Sequence, residues 1–239
     1  MAANEKRLSQ FVARWAHLLK AHGESPATRH AAQGELLPRY RAPVYRYLRD
    51  LVQDDTTAEE LYQEFAIRFV RGDFGHADAP RGRFRDYLQS ALFHFAKEHA
   101  VSARGGFRPL AGEVVLTAGG SDSDQDRRFL HHWRSELLNR TWAALEEASK
   151  AHGDRFHEVL RMKSDDPSRA STIIAAELTR RHGGEHTAGE VRQTLHRARA
   201  KFAELLRAEV AVSLPTNDAA QVEAELTELG LLVYCPPTV

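Results

Sequence analysis

Residues Arg180 to Phe202 read RRHGGEHTAGEVRQTLHRARAKF, and two incompatible patterns share that stretch. His182-Gly-Gly-Glu-His186 spells the H-x-x-E-H signature of a zinc peptidase, whereas the rest reads as the second half of a helix-turn-helix. A zinc site of that type needs both histidines on one face of a continuous helix, with the glutamate between them. Gly183 and Gly184 stand between the histidines, and each costs a helix about 1 kcal/mol relative to alanine. Directly behind them, Thr187 is a good N-cap, and Glu190 three residues on completes a capping box. The stretch therefore predicts a turn followed by a new helix, with no metal.

On that helix Val191, Leu195, Ala198, Phe202 and Leu205 fall on one apolar stripe. Opposite it lie Gln193, His196, Arg197 and Ala200, flanked by Arg192 and Arg199 on one side and Lys201 on the other. A basic outer face with small and amide residues suits a reader of the DNA major groove. Arginine pairs bidentately with guanine and glutamine with adenine. Such a face is also common as plain solvated surface. Upstream, Asp166-Pro167 predicts an N-cap followed by proline at the first helical position, and Ile173, Ile174, Ala175 and Leu178 supply an apolar face. Two helices around a glycine-containing turn predict a helix-turn-helix.

Outward from this element the periodicity is helical nearly everywhere. Phe11, Trp15, Leu18 and Leu19 keep helix spacing, as do Leu61, Phe65 and Phe69, then Phe84, Leu88, Ala91, Leu92 and Phe95. Glu113–Thr117 is the lone strand-like stretch, set among Gly, Ser and Asp residues that cannot bury enough apolar surface to offset chain entropy. The fold class expected is all-α: two small helical domains joined by a flexible linker, the second containing the helix-turn-helix. The expected domains are 1–104, a linker over 105–127, and 128–213. A C-terminal helix (about 219–232) and tail follow within 214–239, behind the breaker Ser213–Asp218.

Composition sets outer bounds. The 239 residues carry 33 basic and 33 acidic side chains, so any nucleic-acid footprint must be a local stripe rather than an overall excess. No apolar run is long enough for a transmembrane helix, and the start of the chain lacks a signal-peptide core. A single cysteine, Cys235, allows no internal disulfide and fits a reducing cytoplasm, so the expectation is a cytoplasmic protein without membrane contact. The 13 histidines are many for this length, and histidine titrates near neutral pH and binds metals. His94 and His99, five apart, fall on different helix faces, and the neighbours His131 and His132 point apart. No metal and no cofactor are expected.

In the first half, Thr57–Val70 reads as an amphipathic helix with Glu60, Gln63 and Glu64 off its buried side. After a loop, Phe84–His99 interleaves aromatic with basic residues, a combination that stacks and clamps unpaired bases. The order Glu35–Leu48 (ELLPRYRAPVYRYL), then AEELYQEF, then RGRFRDYL, then LHRARAKFAELL resembles the extracytoplasmic-function sigma factors of bacterial RNA polymerase, in the variety common in planctomycetes. The resemblance runs from about residue 11 to 212, and it rests on the order and spacing of the motifs together.

The resemblance implies that Glu60, Leu61, Gln63, Glu64 and Phe65 dock on core RNA polymerase. It implies that Arg83, Arg85, Tyr87, Ser90, His94 and Lys97 melt the −10 promoter element and hold a flipped base. It further implies that Arg192, Gln193, His196 and Arg197 read the −35 element, with Arg199 and Lys201 on phosphates. The partners implied are core RNA polymerase and promoter DNA, with an anti-sigma factor or other regulatory protein as a further one, and there is no catalytic centre. The family often carries asparagine where His94 stands, and a run of arginines after this helix where Lys97–Arg104 is thinly basic. Two alternatives stay open: a sigma-like DNA-binding module that needs a partner or is held by an anti-sigma protein, and a metallohydrolase built on the histidines.

Overall fold

In the computed structural model, residues 37–71, 73–74, 83–104, 122–214, 216 and 218–235 are described. The predicted helix through Phe11 and Trp15, the stretch Glu113–Thr117 and most of the expected linker lie outside the described residues. The protein is all-helical: eight α-helices and one 3-10 helix, with no strand among the described residues. In chain order these are α1 (Arg41–Val52), α2 (Asp55–Arg71), α3 (Phe84–Arg104), α4 (Asp122–His152), α5 (Phe156–Asp165), α6 (Ser171–His182), α7 (Ala188–Ala211) and α8 (Ala219–Glu228). The 3-10 helix follows at Leu232–Tyr234.

The chain divides into two compact units, Met1–Glu136 with Ala211–Gln221, and Leu137–Val210 with Val222–Val239. The division falls inside α4, whereas the linker was expected over 105–127. Residues 122–127 of that expected linker are the first turns of α4. The missed signal is Phe129, Trp133 and Leu137 at four-residue spacing, all buried, which continues a helix back into the polar run.

The first unit is built around aromatic rings. Tyr40 stacks on Trp133 at 4.7 Å, and Phe84 meets Tyr40 at 4.8 Å. Phe69 links this group to a second one, edge-on to Phe84 at 6.3 Å and 5.6 Å from Phe65. Phe65 also touches Phe74 at 5.2 Å and Phe95 at 5.5 Å. Between α1 and α2 the chain reverses at Gln53, whose φ of 56° is left-handed, and the Asp54 carboxylate then accepts the Thr57 N–H at 2.7 Å. That bond caps α2 and holds the Asp54 carboxyl below its ordinary range. Arg41 closes the hairpin with a two-pronged bond to Glu59. The returning segment completes the unit: Val212, Ser213 and Leu214 are buried, and the Ser213 carbonyl accepts the Phe84 N–H at 3.1 Å.

The second unit has an aliphatic core. Val159 and Met162 of α5, Ile174, Ala175 and Leu178 of α6, and Val191 and Leu195 of α7 form one buried cluster. Contrary to the prediction, Asp166-Pro167 does not start α6, because Asp166 spends its carboxylate on the Ser168 N–H and hydroxyl in an Asx turn. The helix begins at Ser171, behind an extended Ala170. The C-terminal helix is shorter than the expected 219–232. Leu231 N–H bonds to the Leu226 carbonyl at 2.7 Å and Gly230 N–H to that of Thr227 at 3.0 Å, with Gly230 at φ 63°. This is a Schellman stop, which glycine at positive φ permits. Val222, Leu226 and Leu229 are buried, so the apolar side of this helix is already covered within the chain. No helix among the described residues is long and apolar enough to cross a membrane.

Candidate nucleic-acid interface

The turn between α6 and α7 is set by backbone chemistry that the letters announce. Gly183 sits at φ 71°, ψ −177° and Gly184 at φ 72°. No atom lies near where a Cβ would stand on either glycine, so the demand is conformational rather than one of space. The His186 N–H then bonds the Thr179 hydroxyl at 3.1 Å, tying the turn back to α6. At the start of α7 the capping box forms in both directions. Glu190 accepts the Thr187 N–H at 2.9 Å, and the Thr187 hydroxyl accepts the Glu190 N–H at 3.2 Å.

Below this cap the stripe is buried as predicted at Val191, Leu195, Ala198 and Phe202, while Leu205 is only half-buried and Leu206 takes the interior position. The opposite face carries Arg192, Gln193, His196, Arg197 and Arg199, all exposed. They lie at helix spacings that place them on neighbouring ridges of one surface. Lys201 stands apart: it is half-buried and its ammonium pairs with Glu204 at 2.7 Å.

The cations just ahead of the turn are engaged locally. Arg180 and Arg181 both grip Glu177, at 2.6 and 2.5 Å, and hold its carboxyl down at about 2. His182 bonds Glu158 at 2.8 Å rather than converging with Glu185 or His186. Among the described residues no three His, Cys, Asp or Glu side chains come together as a metal cluster.

In the first unit the predicted residues divide into exposed and structural ones. On α2, Glu60, Gln63 and Glu64 are exposed, Leu61 is half-buried, and Phe65 is wholly inside the aromatic core. Glu64 faces His99 of α3 at 3.2 Å. Sequence reasoning missed Ile67, which is 53% exposed on the same helix. It lies three and four residues beyond Glu64 and Gln63, off the Leu61–Phe65–Phe69 stripe, and that offset was the available signal.

On α3, His94 and Lys97 are exposed, while Tyr87 and Ser90 are half-buried, with the Tyr87 ring 5.7 Å from Phe69. Arg83 and Arg85 are not outward-facing. Arg83 is largely buried, with its guanidinium on Asp86 at 2.8 and 3.2 Å. Arg85 is only 2% exposed and lies 3.6 Å from the same carboxylate. Asp86 thus holds two of the cations expected at the −10 element inside the fold.

Comparison with known proteins returns no matching family model, no matching curated protein and no matching solved structure. On α7 a capped helix seats one side in a core and presents arginine, glutamine and histidine on the other. On α2 a helix fixed by Phe65 and Phe69 presents carboxylates, an amide and an exposed isoleucine.

Proposed function

We propose that the protein is an extracytoplasmic-function-type sigma factor, which binds core RNA polymerase and directs promoter-specific initiation. The observation that carries the reading is α7. Its capping box, buried stripe and exposed Arg192–Gln193–His196–Arg197 face fit a recognition helix, with α6 and the glycine turn as the preceding half of a helix-turn-helix. Arg199 is the phosphate contact the geometry favours, and Lys201, neutralised by Glu204, contributes less. The exposed α2 row of Glu60, Gln63, Glu64 and Ile67 is the polymerase-docking surface, with Phe65 acting from inside as its support. Promoter melting falls to the exposed His94 and Lys97 with Tyr87 and Ser90.

The test compares wild type with a Gln63→Ala/Glu64→Ala double variant in core polymerase pull-down and in transcription from a promoter library. The expected result is initiation from a shared −35/−10 pattern, lost in the variant. Absence of polymerase binding by the wild type sinks the proposal.

One observation favours a second reading. Arg83 and Arg85, folded onto Asp86, are withdrawn from single-stranded DNA. A sigma-like DNA binder that depends on a partner for melting fits that arrangement, and polymerase binding without transcription identifies it.

A further inference from the structure

The second unit contains a cleft of about 400 Å³ that the docking helix does not touch and that shares only Arg199 with the recognition face. That volume lies in the range of small-molecule sites. Its walls are apolar: Leu138 and Trp142 of α4, Leu160 of α5 and Phe202 of α7. Trp142 and Phe202 meet at 5.0 Å, tilted by 58°, and the Arg161 guanidinium lies over the Trp142 ring at 5.2 Å.

The C-terminal segment forms one side. Cys235 is buried with its thiol directed at the Ala203 carbonyl, and the Tyr234 ring stands edge-on to Phe202 at 6.4 Å. Yet Val233 and Tyr234 are themselves 81% and 46% exposed. Apolar side chains thus stand in water at the mouth of an apolar cleft, where a ligand would cover both.

Charge at this cleft has one sign among the described residues: Lys163 and Arg199 line it and no carboxylate does. Among the described residues neither cation is paired with an acid. Lys163 gives one bond to the Arg169 carbonyl at 2.8 Å, so its ammonium keeps further N–H donors.

We propose that this cleft binds a small amphipathic organic anion, with its flat apolar body against Trp142 and Phe202 and its acidic group at Lys163 and Arg199. An apolar body accounts for the walls and for the exposed Val233 and Tyr234. A negative group accounts for two cations that have no counter-ion among the described residues, Lys163 half-buried in the cleft and Arg199 exposed at its edge. The site needs neither DNA nor polymerase, so its test is independent of the sigma-factor reading.

The full-length protein is titrated with 8-anilinonaphthalene-1-sulfonate by fluorescence, beside the neutral N-phenyl-1-naphthylamine. Wild type, Lys163→Met and Ser164→Trp are compared, the last placing a bulky ring at the exposed rim; circular dichroism melts verify folding. The expected result is saturable one-site binding of the sulfonate, weakened roughly tenfold by Lys163→Met, about the worth of one charge-assisted bond. The neutral compound is expected to change less than about twofold with that variant, and Ser164→Trp to abolish sulfonate binding. Non-saturable binding, equal losses for charged and neutral compounds, or full affinity in a folded Ser164→Trp protein each overturns the proposal.

Discussion

Replacing Phe65 by alanine separates the interior of α2 from its surface. The ring is fully buried and touches Phe69, Phe74 and Phe95 at centroid distances of 5.6, 5.2 and 5.5 Å. Truncation forfeits the transfer free energy of a buried phenyl group, about 1.5–3 kcal/mol, and leaves a cavity whose walls are stiff rings. Aromatic pairs add about 0.5–1.5 kcal/mol beyond burial, and here all three pairs are lost together. The expected cost is about 3–5 kcal/mol, a large part of the stability of a small domain.

Exposed neighbours behave differently. Gln63→Ala should stay within about 0.5 kcal/mol. Glu64→Ala loses only an exposed partner of His99, worth at most about 1 kcal/mol. The assay is hydrogen exchange on peptides from α2 and α3, which reports local opening without assuming that both units unfold together. Phe65→Ala should accelerate exchange strongly across both helices, Phe65→Leu should restore most of the protection, and Gln63→Ala should match wild type. Unchanged exchange in Phe65→Ala refutes the aromatic-core account and returns Phe65 to the list of contact residues.

Other perturbations address the turn and the helix ends. Thr187→Ala removes one half of the capping box and should cost about 1 kcal/mol, and adding Glu190→Ala should cost less than the sum of the two single changes, measured by urea denaturation in a double-mutant cycle. Gly183→Ala forces a side chain into a φ, ψ region that essentially only glycine occupies, and should cost about 1–3 kcal/mol by the same denaturation assay. Glu177, held at about 2 by Arg180 and Arg181, has a folded pKa below its unfolded one. Its contribution is therefore complete above about pH 4.5 and is lost as pH falls toward 2. A carboxyl NMR titration should show Glu177 still ionised at pH 3 in wild type, and titrating nearer its ordinary value in Arg180→Gln/Arg181→Gln.

What the letters disclosed was chiefly local. The capping box at Thr187 and Glu190 needs only four residues to be recognised, and the paired glycines before it have few other uses. The α7 stripe was readable for the same reason, since its period is carried by one helix. Asp166-Pro167 misled because an aspartate bonding an N–H two residues on looks alike at an N-cap and in an Asx turn; only Ser168 decided the matter. Arg83 and Arg85 were legible as cations but not as buried ones, because their common partner Asp86 could equally have faced water. The cleft was invisible beforehand, since its walls come from four separated segments and periodicity within any one of them is silent about the others.

The order in which the chain is made has consequences for the first unit. Its closing segment, Ala211–Gln221, is separated from Glu136 by most of the second unit. A ribosome adding about 5–20 residues per second needs roughly 4–17 s to travel from Glu136 to Gln221. Throughout that interval the Phe84 N–H lacks its Ser213 acceptor, and the places of Val212 and Leu214 stand open. The nascent chain therefore passes through a stage in which the first unit lacks this seal, and a fragment ending at Glu136 lacks it permanently. Chaperones and proteases meet that state at every round of synthesis, so changes at Val212, Ser213 or Leu214 should shorten the half-life of the newborn chain.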